Sequence, residues 1–249
     1  MRAITILFIA LLVVTTASAQ DPQTAIVRFV GPVNQGSIDR LLQLVDQEIQ
    51  DGTERIVLLI SSPGGSVFYG MTAYNYLKGI PVEVITHNIG SSDSIAIMLL
   101  CAGDVRRSVP NGRFVLHGAS TSFGPVSRLD EKQLAERLRS LRVDSENIAR
   151  VIADTIGKDL DEVAQAIFDG TILTPEEAME WGLITEITGE LYSSGARLLS
   201  VGAAVGPESP LDDAPPPPDS RTVGDDPTTV SASQEVVIPL SSTFVPTDQ

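Results

Sequence analysis

The stretch RIVLLISSPGG, residues 55–65, decides the fold class. Its first part, residues 55–60, is almost continuously apolar, as in strands that are buried on both faces in a parallel sheet. The serines, proline and paired glycines that follow let the backbone turn tightly and approach a ligand closely. The pattern of residues 67–77 then predicts a helix. A buried strand that leads through a tight turn into a helix is typical of α/β proteins.

The sequence on both sides of this stretch continues the alternation. Further strands are predicted at residues 25–30, 82–86, 114–117 and 183–187. Helices are predicted from a Ser37 cap to residue 49, at 94–101, at 130–154, at 160–168 and after a Thr174 cap. This alternation predicts an α/β domain with a mainly parallel sheet.

The N-terminal residues 1–19 have the pattern of a secretory signal peptide. Arg2 supplies a positive charge, residues 4–14 are apolar, and the sequence ASA at residues 17–19 is a small-residue cleavage motif. The apolar run is much shorter than the roughly 20 residues of a membrane-spanning helix. We therefore expect cleavage after Ala19, a periplasmic or secreted location, and no membrane attachment afterwards. The alternative is a signal that is retained as an anchor.

The C-terminal residues 193–249 differ from the rest of the chain in composition. Four prolines at 215–218 lie among aspartates, and the whole stretch holds eight acidic and two basic residues. Such a segment has too little apolar surface to fold alone. The sequence therefore predicts a folded domain at residues 22–192 followed by an acidic, disordered tail.

The charge and the rare residues exclude several classes of function. The net charge of −15 argues against a nucleic-acid partner and against anionic membrane surfaces. A single cysteine, Cys101, excludes an internal disulfide and a multi-cysteine metal site. With only two histidines, a histidine-rich metal site is not expected either, so we predict no metal and no cofactor.

Ser94 is a candidate nucleophile because of its place between a strand and an apolar helix. A serine there has its hydroxyl near the positive end of the helix, and the neighbouring backbone N–H groups are free to stabilise an oxyanion. Serine is also a common helix cap, so the position alone leaves both interpretations open. His117, at the end of a predicted strand, is the candidate general base. His87 lies seven residues before Ser94 on one strand and is the weaker candidate.

Taken together, these motifs resemble the proteolytic subunit of the Clp protease, a serine peptidase family with the crotonase-like fold. The resemblance runs from about residue 26 to residue 187 and covers the following segments in family order: VGPV at 30–33, ISSPGGS at 60–66, Gly90 to Gly103 around Ser94, Pro110 to His117, and TPEEAMEWGLI at 174–184. It implies a spiral of β-β-α units with a mainly parallel sheet. It also implies that the long helix at 130–154 protrudes and stacks ring-shaped homo-oligomers.

The resemblance also assigns roles to individual residues. It implies Ser94 as the nucleophile, His117 as the general base, and the backbone N–H groups of Gly65 and Ile95 as the oxyanion hole. The family's third catalytic residue, an acid, falls on Gly170 here. The nearest carboxylate, Asp169, lies one residue earlier and is the predicted third member.

Two features depart from the family pattern. Asp169-Gly170 before Thr174 is similar to the related signal peptide peptidases, which use a serine–lysine dyad. Lys132 would then be the base, provided that it is desolvated. Only about five residues separate Gln20 from the first strand, so the segment with which the family engages an ATP-driven unfoldase has no counterpart. We therefore do not expect an ATPase partner.

The sequence thus predicts an exported, ATP-independent serine endopeptidase that acts on peptides or unfolded proteins. Three alternatives stay open: the serine–lysine protease, a crotonase-type acyl-thioester enzyme that uses the same oxyanion hole, and a non-catalytic, ring-forming envelope scaffold. The thioester enzyme would need a basic cluster near Gly65 to bind coenzyme A phosphates, and the sequence shows none.

Overall fold

The computed structural model of the chain describes residues 23–120, 130–192 and 196–201. The predicted signal peptide and most of the predicted tail lie outside these residues. The described strands are β1 Thr24–Val30, β2 Arg55–Ser62, β3 Glu83–Asp93, β4 Val105–Ser108, β5 Arg113–Val115, β6 Ile172–Leu173, β7 Glu186–Ile187 and β8 Arg197–Val201. The described helices are α1 Gln35–Gln50, α2 Val67–Gly79, α3 Ala96–Cys101, α4 Glu131–Ile156, α5 Leu160–Asp169 and α6 Pro175–Glu180.

The strands form one mainly parallel sheet, which confirms the predicted fold class. The order is β6-β5-β3-β2-β1-β8, and only the β5–β6 pair is antiparallel among the described pairings. The long strand β3 has two successive neighbours. Its first half pairs with β4, which also pairs with β7, and its last three residues pair with β5. This arrangement places the ends of β2, β3 and β5 side by side.

The main core lies between the sheet and the helices. Strand β2 is buried over most of its length, as its apolar run predicted, and every residue of α3 is buried. A smaller apolar cluster of Ile26, Val57, Leu59 and Ile85 lies on the other face of the sheet. Cys101 is inside the main core, and burial raises the pKa of its thiol to about 12. The thiol is therefore neutral and protected.

Helix α4 is long, as predicted, and only part of it packs on the domain. Asp130 caps it in a capping box with Gln133. Leu141, Ile148 and Ile152 are buried, whereas residues 131–137 are all exposed. None of the helices in the described part of the chain is long and apolar enough to cross a membrane.

Several predicted boundaries differ from the structure. Asn34, rather than Ser37, is the cap of α1, and Ser37 is the third helical residue of the same capping box. Strand β3 continues past the predicted strand at 82–86 to residue 93, because β2 and β4 pair with residues 87 and 88 and β5 pairs with residues 91–93. The predicted strand at 183–187 is reduced to β7, and the short strands β4 and β6 were not predicted.

Strand β8 corrects the predicted start of the disordered tail at residue 193. Residues 197–201 pair in parallel with β1, and Arg28 donates hydrogen bonds to Ser200. Arg197 forms an ion pair with the buried carboxylate of Glu48 at 3.3 Å. The folded part of the chain thus reaches at least Val201. Composition could not show this, because β1, the strand that pairs with β8, lies about 170 residues earlier in the chain.

Candidate active site

Three segments that follow parallel strands meet at one edge of the sheet. Gly64 and Gly65 follow β2, Ser94 follows β3, and His117 lies two residues after β5. The backbone N–H of Ser94 donates to the carbonyl of Val115 at 2.7 Å, which ties the end of β3 to the end of β5. In open α/β sheets this edge, at the carboxyl ends of the strands, is where ligands bind.

Ser94 has an unusual backbone conformation. Its φ of 56° is the only positive φ among the described non-glycine residues. Such a conformation costs on the order of 1–3 kcal/mol and persists only where the surrounding structure enforces it. Ser94 is not the cap of α3, because Ile95 occupies that position and no side chain caps the helix. The Ser94 hydroxyl therefore does not cap the helix, which was the structural alternative in the sequence analysis.

Gly64 allows the close approach that holds Ser94. A Cβ atom at Gly64 would lie 2.7 Å from Ser94 Cβ and 2.7 Å from the carbonyl oxygen of Asp93. The φ of Gly64 is 89°, a region that side chains rarely adopt. Only glycine fits between β2 and the Ser94 turn, which explains the paired glycines of the sequence.

Gly65 is held by the segment that follows β1. It forms a parallel bridge with Val33, whose N–H donates to Gly64 at 2.8 Å and whose carbonyl accepts from Ser66 at 2.8 Å. The φ of Gly65 is 146°, and an added Cβ would overlap the carbonyl oxygen of Val33. Val33 belongs to the motif at 30–33, but no sequence pattern assigns it this supporting role.

The two predicted oxyanion donors are unpaired in the structure. Neither the N–H of Gly65 nor the N–H of Ile95 donates a hydrogen bond to a described residue. The Gly64-Gly65 turn lies against Ile95, because a Cβ atom built on Gly64 would lie 3.3 Å from the N atom of Ile95. Free N–H groups beside a serine hydroxyl are the arrangement that stabilises a tetrahedral oxyanion.

His117 is exposed, and its ring is oriented by its own chain. Nδ1 lies 2.9 Å from the carbonyl oxygen of Gly118. A carbonyl can only accept, so in the neutral ring Nδ1 carries the proton and the lone pair of Nε2 is free. No hydrogen bond joins His117 to Ser94 in the described residues. The pairing of β3 with β5 brings the segments that carry the two residues side by side. Hydrogen bonds between a nucleophile and its base commonly tighten only when substrate is bound.

The register of β5 and β6 locates the position for the acid. Val115 pairs with Ile172, and the N–H of Leu116 donates to Thr171 at 2.8 Å. Continuing this antiparallel register places Gly170 opposite His117. Gly170 has a φ of 70°, and nothing lies within 4 Å of a Cβ built on it. The space for an acid is thus present, and the residue facing it has no side chain.

Asp169, the predicted third catalytic residue, is the last residue of α5. Its Oδ1 accepts a hydrogen bond from Gln165 Nε2 at 2.8 Å, and the side chain lies in an exposed position. Among the described residues it makes no hydrogen bond to His117.

The lysines and the second histidine lie elsewhere. The side chain of Lys132 is 84% exposed and 3.8 Å from Glu136, so burial does not desolvate it as a serine–lysine mechanism requires. Lys78 and Lys158 form ion pairs with Asp104 and Glu162, respectively. His87 is fully buried, with Nε2 3.2 Å from the carbonyl of Thr188.

Asp93, next to Ser94, makes a contact that the sequence did not reveal. Its Oδ2 accepts from Arg113 Nη2 at 2.7 Å and not from His117. The described residues contain no group of three or more histidine, cysteine or acidic side chains that could hold a metal ion.

Comparison with known proteins agrees with this architecture. Residues 16–190 match the family model described as Clp protease. A solved structure of a ClpP1 mutant from Listeria monocytogenes superposes with a TM-score of 0.59 and 22% sequence identity, over 68% of this chain and 92% of that one. The structural likeness shows that the fold is the Clp-protease and crotonase-like α/β fold with its long helix.

Proposed function

Because the chain belongs to the Clp protease family, we propose that it is a serine endopeptidase that hydrolyses peptides or unfolded proteins by acyl transfer. The observation that carries the proposal is the strained Ser94, with φ 56°, beside two unpaired backbone N–H groups. Strain of this kind concentrates at functional sites.

The proposed mechanism uses residues that follow β2, β3 and β5 at this edge of the sheet. Ser94 Oγ attacks the scissile carbonyl, and His117 Nε2 accepts its proton. The N–H groups of Gly65 and Ile95 stabilise the oxyanion of the tetrahedral intermediate. His117 then protonates the leaving amine. A water molecule, deprotonated by the same imidazole, attacks the acyl group and releases Ser94.

The support for the imidazole is divided between two groups in this proposal. The carbonyl of Gly118 fixes the tautomer, which is one task of the acid in a triad. It carries no charge, so it stabilises the imidazolium less than a carboxylate does. Asp169 stays the proposed third member with a minor share of this support, because its carboxylate is bonded to Gln165 rather than to His117.

The proposal includes a setting for the enzyme. The signal-peptide pattern of residues 1–19 supports action in the periplasm or outside the cell, where ATP is absent, and hence ATP-independent hydrolysis. The exposed turns of α4, with Leu134 at 43% and Val143 at 48% exposure, support a homo-oligomeric ring.

One observation favours a second candidate, the non-catalytic ring-forming scaffold. His117 makes no hydrogen bond to Ser94 among the described residues, and the β5–β6 register, when continued beyond its last pair, reaches a glycine. A scaffold would keep the fold and the oligomer and would show no reactive serine.

A fluorophosphonate probe separates the two candidates. We expect the full-length protein to be labelled, Ser94→Ala to be unlabelled, and Ser140→Ala, which changes an exposed serine on α4, to react like the wild type. Mass spectrometry of the labelled peptide identifies the modified residue. A wild type that forms a stable oligomer by analytical ultracentrifugation but takes up no probe would establish the scaffold instead.

A further inference from the structure

An ion pair joins the two strands that lead to Ser94 and His117. Nη2 of Arg113, in β5, lies 2.7 Å from Oδ2 of Asp93, in β3. Nε of the same arginine donates to Ser91 Oγ at 3.2 Å. The guanidinium thus contacts two residues of β3 that share one face of the sheet. Both lie in the last three residues of the strand, directly before Ser94.

The carboxylate depends on this arginine. The side chain of Asp93 is 11% exposed, whereas that of Arg113 is 61% exposed. Oδ1 of Asp93 is buried and has no hydrogen-bond partner among the described residues, where Arg113 is also its sole ion-pair partner. A buried charge without its partner is strongly unfavourable, so the pair constrains both side chains.

The location of the pair suggests what it constrains. Asp93 directly precedes Ser94, whose positive φ needs support from its surroundings. The ladder between β3 and β5 has only three residue pairs, and the hydrogen bond from Ser94 to Val115 extends it. A ladder this short leaves the relative position of the two strands weakly fixed by backbone hydrogen bonds alone.

We propose that Asp93 and Arg113 are positioning residues whose ion pair holds the Ser94 turn in register with the strand that leads to His117. This inference rests on the proposed function, because it assigns a task only if Ser94 is the nucleophile. Neither residue contacts the reacting atoms. Their effect is on the geometry of attack, where a displacement of about 1 Å can cost 10²-fold in rate.

The test is the kinetics of fluorophosphonate labelling, which gives a limiting rate constant and a half-saturating probe concentration. We expect Arg113→Met to lower the limiting rate constant by about tenfold or more and to change the half-saturating concentration by less than about threefold. Arg55→Met is the matched control, because Arg55 pairs with Glu83 at 2.6 Å across β2 and β3 at the other end of the sheet. We expect its labelling kinetics to match the wild type.

A second pair of variants separates positioning from simple stabilisation. Arg113→Lys keeps the charge, and we expect it to recover part of the rate. Arg113→Met alone leaves the Asp93 carboxylate without its ion-pair partner, so we expect it to lower the melting temperature. The double variant Asp93→Asn with Arg113→Met removes this unpaired charge, so we expect it to have a melting temperature near that of the wild type but still the low labelling rate.

Two results would overturn the inference: Arg113→Met that labels as fast as the wild type, or a double variant that regains the full rate together with its stability. A wild type that takes up no probe has a different meaning. It refutes the proposed function first, and the positioning role with it.

Discussion

The two halves of the candidate site are built differently. The nucleophile half consists of Gly64, Gly65, Ser94 and the supporting Val33, and it is fixed by backbone hydrogen bonds and close contacts. The base half consists of His117, Asp169 and Gly170, and it is exposed, with open space around Gly170. Under the proposed function, the backbone holds the oxyanion-binding groups in place, whereas the base would have to reach Ser94 by side-chain rotation.

The secondary structure explains this difference. The nucleophile half lies between strands of seven to eleven residues and is backed by the buried helix α3. The base half depends on β5 and β6, which have three and two residues. Substitutions in the first half should therefore act through steric conflict, and substitutions in the second should act through charge.

The largest effect is expected for Gly65→Ala, in the nucleophile half. The new Cβ would overlap the Val33 carbonyl, and the φ of 146° is unfavourable for alanine. The loop must shift and carry the Gly65 N–H away from the oxyanion. Loss of one such donor costs about 10²–10³ in rate. We expect the rate of fluorophosphonate labelling to fall by about that factor.

Gly79→Ala is the control for this substitution, because Gly79 ends α2 and nothing lies within 4 Å of its Cβ position. It should label at the wild-type rate. Circular dichroism checks that Gly65→Ala is folded. A folded Gly65→Ala that labels like the wild type would show that the loop is not the rigid donor inferred here.

The next largest effect is expected for Gly170→Asp, in the base half, and it is an increase in the labelling rate. Gly170→Asp places a carboxylate opposite His117, where a Cβ meets nothing within 4 Å. Its φ of 70° and ψ of 49° are in the left-handed region, which aspartate and asparagine tolerate better than other side chains. The carboxylate would stabilise the imidazolium that forms during attack, so we expect the labelling rate to rise by about tenfold.

Gly170→Asn separates charge from shape in this experiment. It has the same size and the same tolerance of positive φ, but it carries no charge. We expect it to remain near the wild-type rate. Equal gains for aspartate and asparagine would mean that the substitution acts on the loop and not on His117.

The sequence was sufficient for the parts of the fold that are encoded locally. The apolar run of β2, the capping box at Thr174 and the long pattern of α4 each appear within a short window, and each element is confirmed. The acid position at Gly170 is implied by the family resemblance, and the β5–β6 register reaches the same residue when it is continued two residues past its last pair.

The remaining features depend on contacts between distant residues. The extension of β3 through residues 88–93 is set by its pairing with β5, and β8 is set by β1 and Glu48. The ion pair between Asp93 and Arg113 joins residues 20 positions apart, so no local pattern reveals it. The orientation of the His117 side chain could not be predicted either, because the periodicity of the sequence does not encode side-chain rotation.

A smaller effect is expected for Asp169→Asn. The carboxylate is bonded to Gln165 rather than to His117, and the Gly118 carbonyl already fixes the tautomer of the base. We expect the labelling rate to fall by less than about tenfold, well below the loss seen when a working triad loses its acid. A loss of 10³-fold or more would show that Asp169 moves into the position opposite His117, and it would reverse the contrast between the two halves.

The smallest effect concerns stability and contrasts the two histidines. His117 is exposed, whereas His87 is buried on β3 with Nδ1 unpaired among the described residues. Burial lowers the pKa of His87 below its usual value, and Arg107 adds to this shift, while the Thr188 carbonyl and Glu186 oppose it. The folded state therefore binds fewer protons than the unfolded state at acidic pH.

The contribution of His87 to stability is full above the pKa of an unfolded histidine, about 6.5, and it is lost progressively as the pH falls below that value. A single proton changes the free energy of unfolding by at most about 1.4 kcal/mol per pH unit. His87→Gln keeps a donor for Thr188 and cannot titrate. Urea denaturation between about pH 7 and pH 5 should therefore show a steeper loss for the wild type than for His87→Gln. Parallel curves would mean that His87 takes up its proton in the folded state as readily as an exposed histidine does, and they would contradict this prediction.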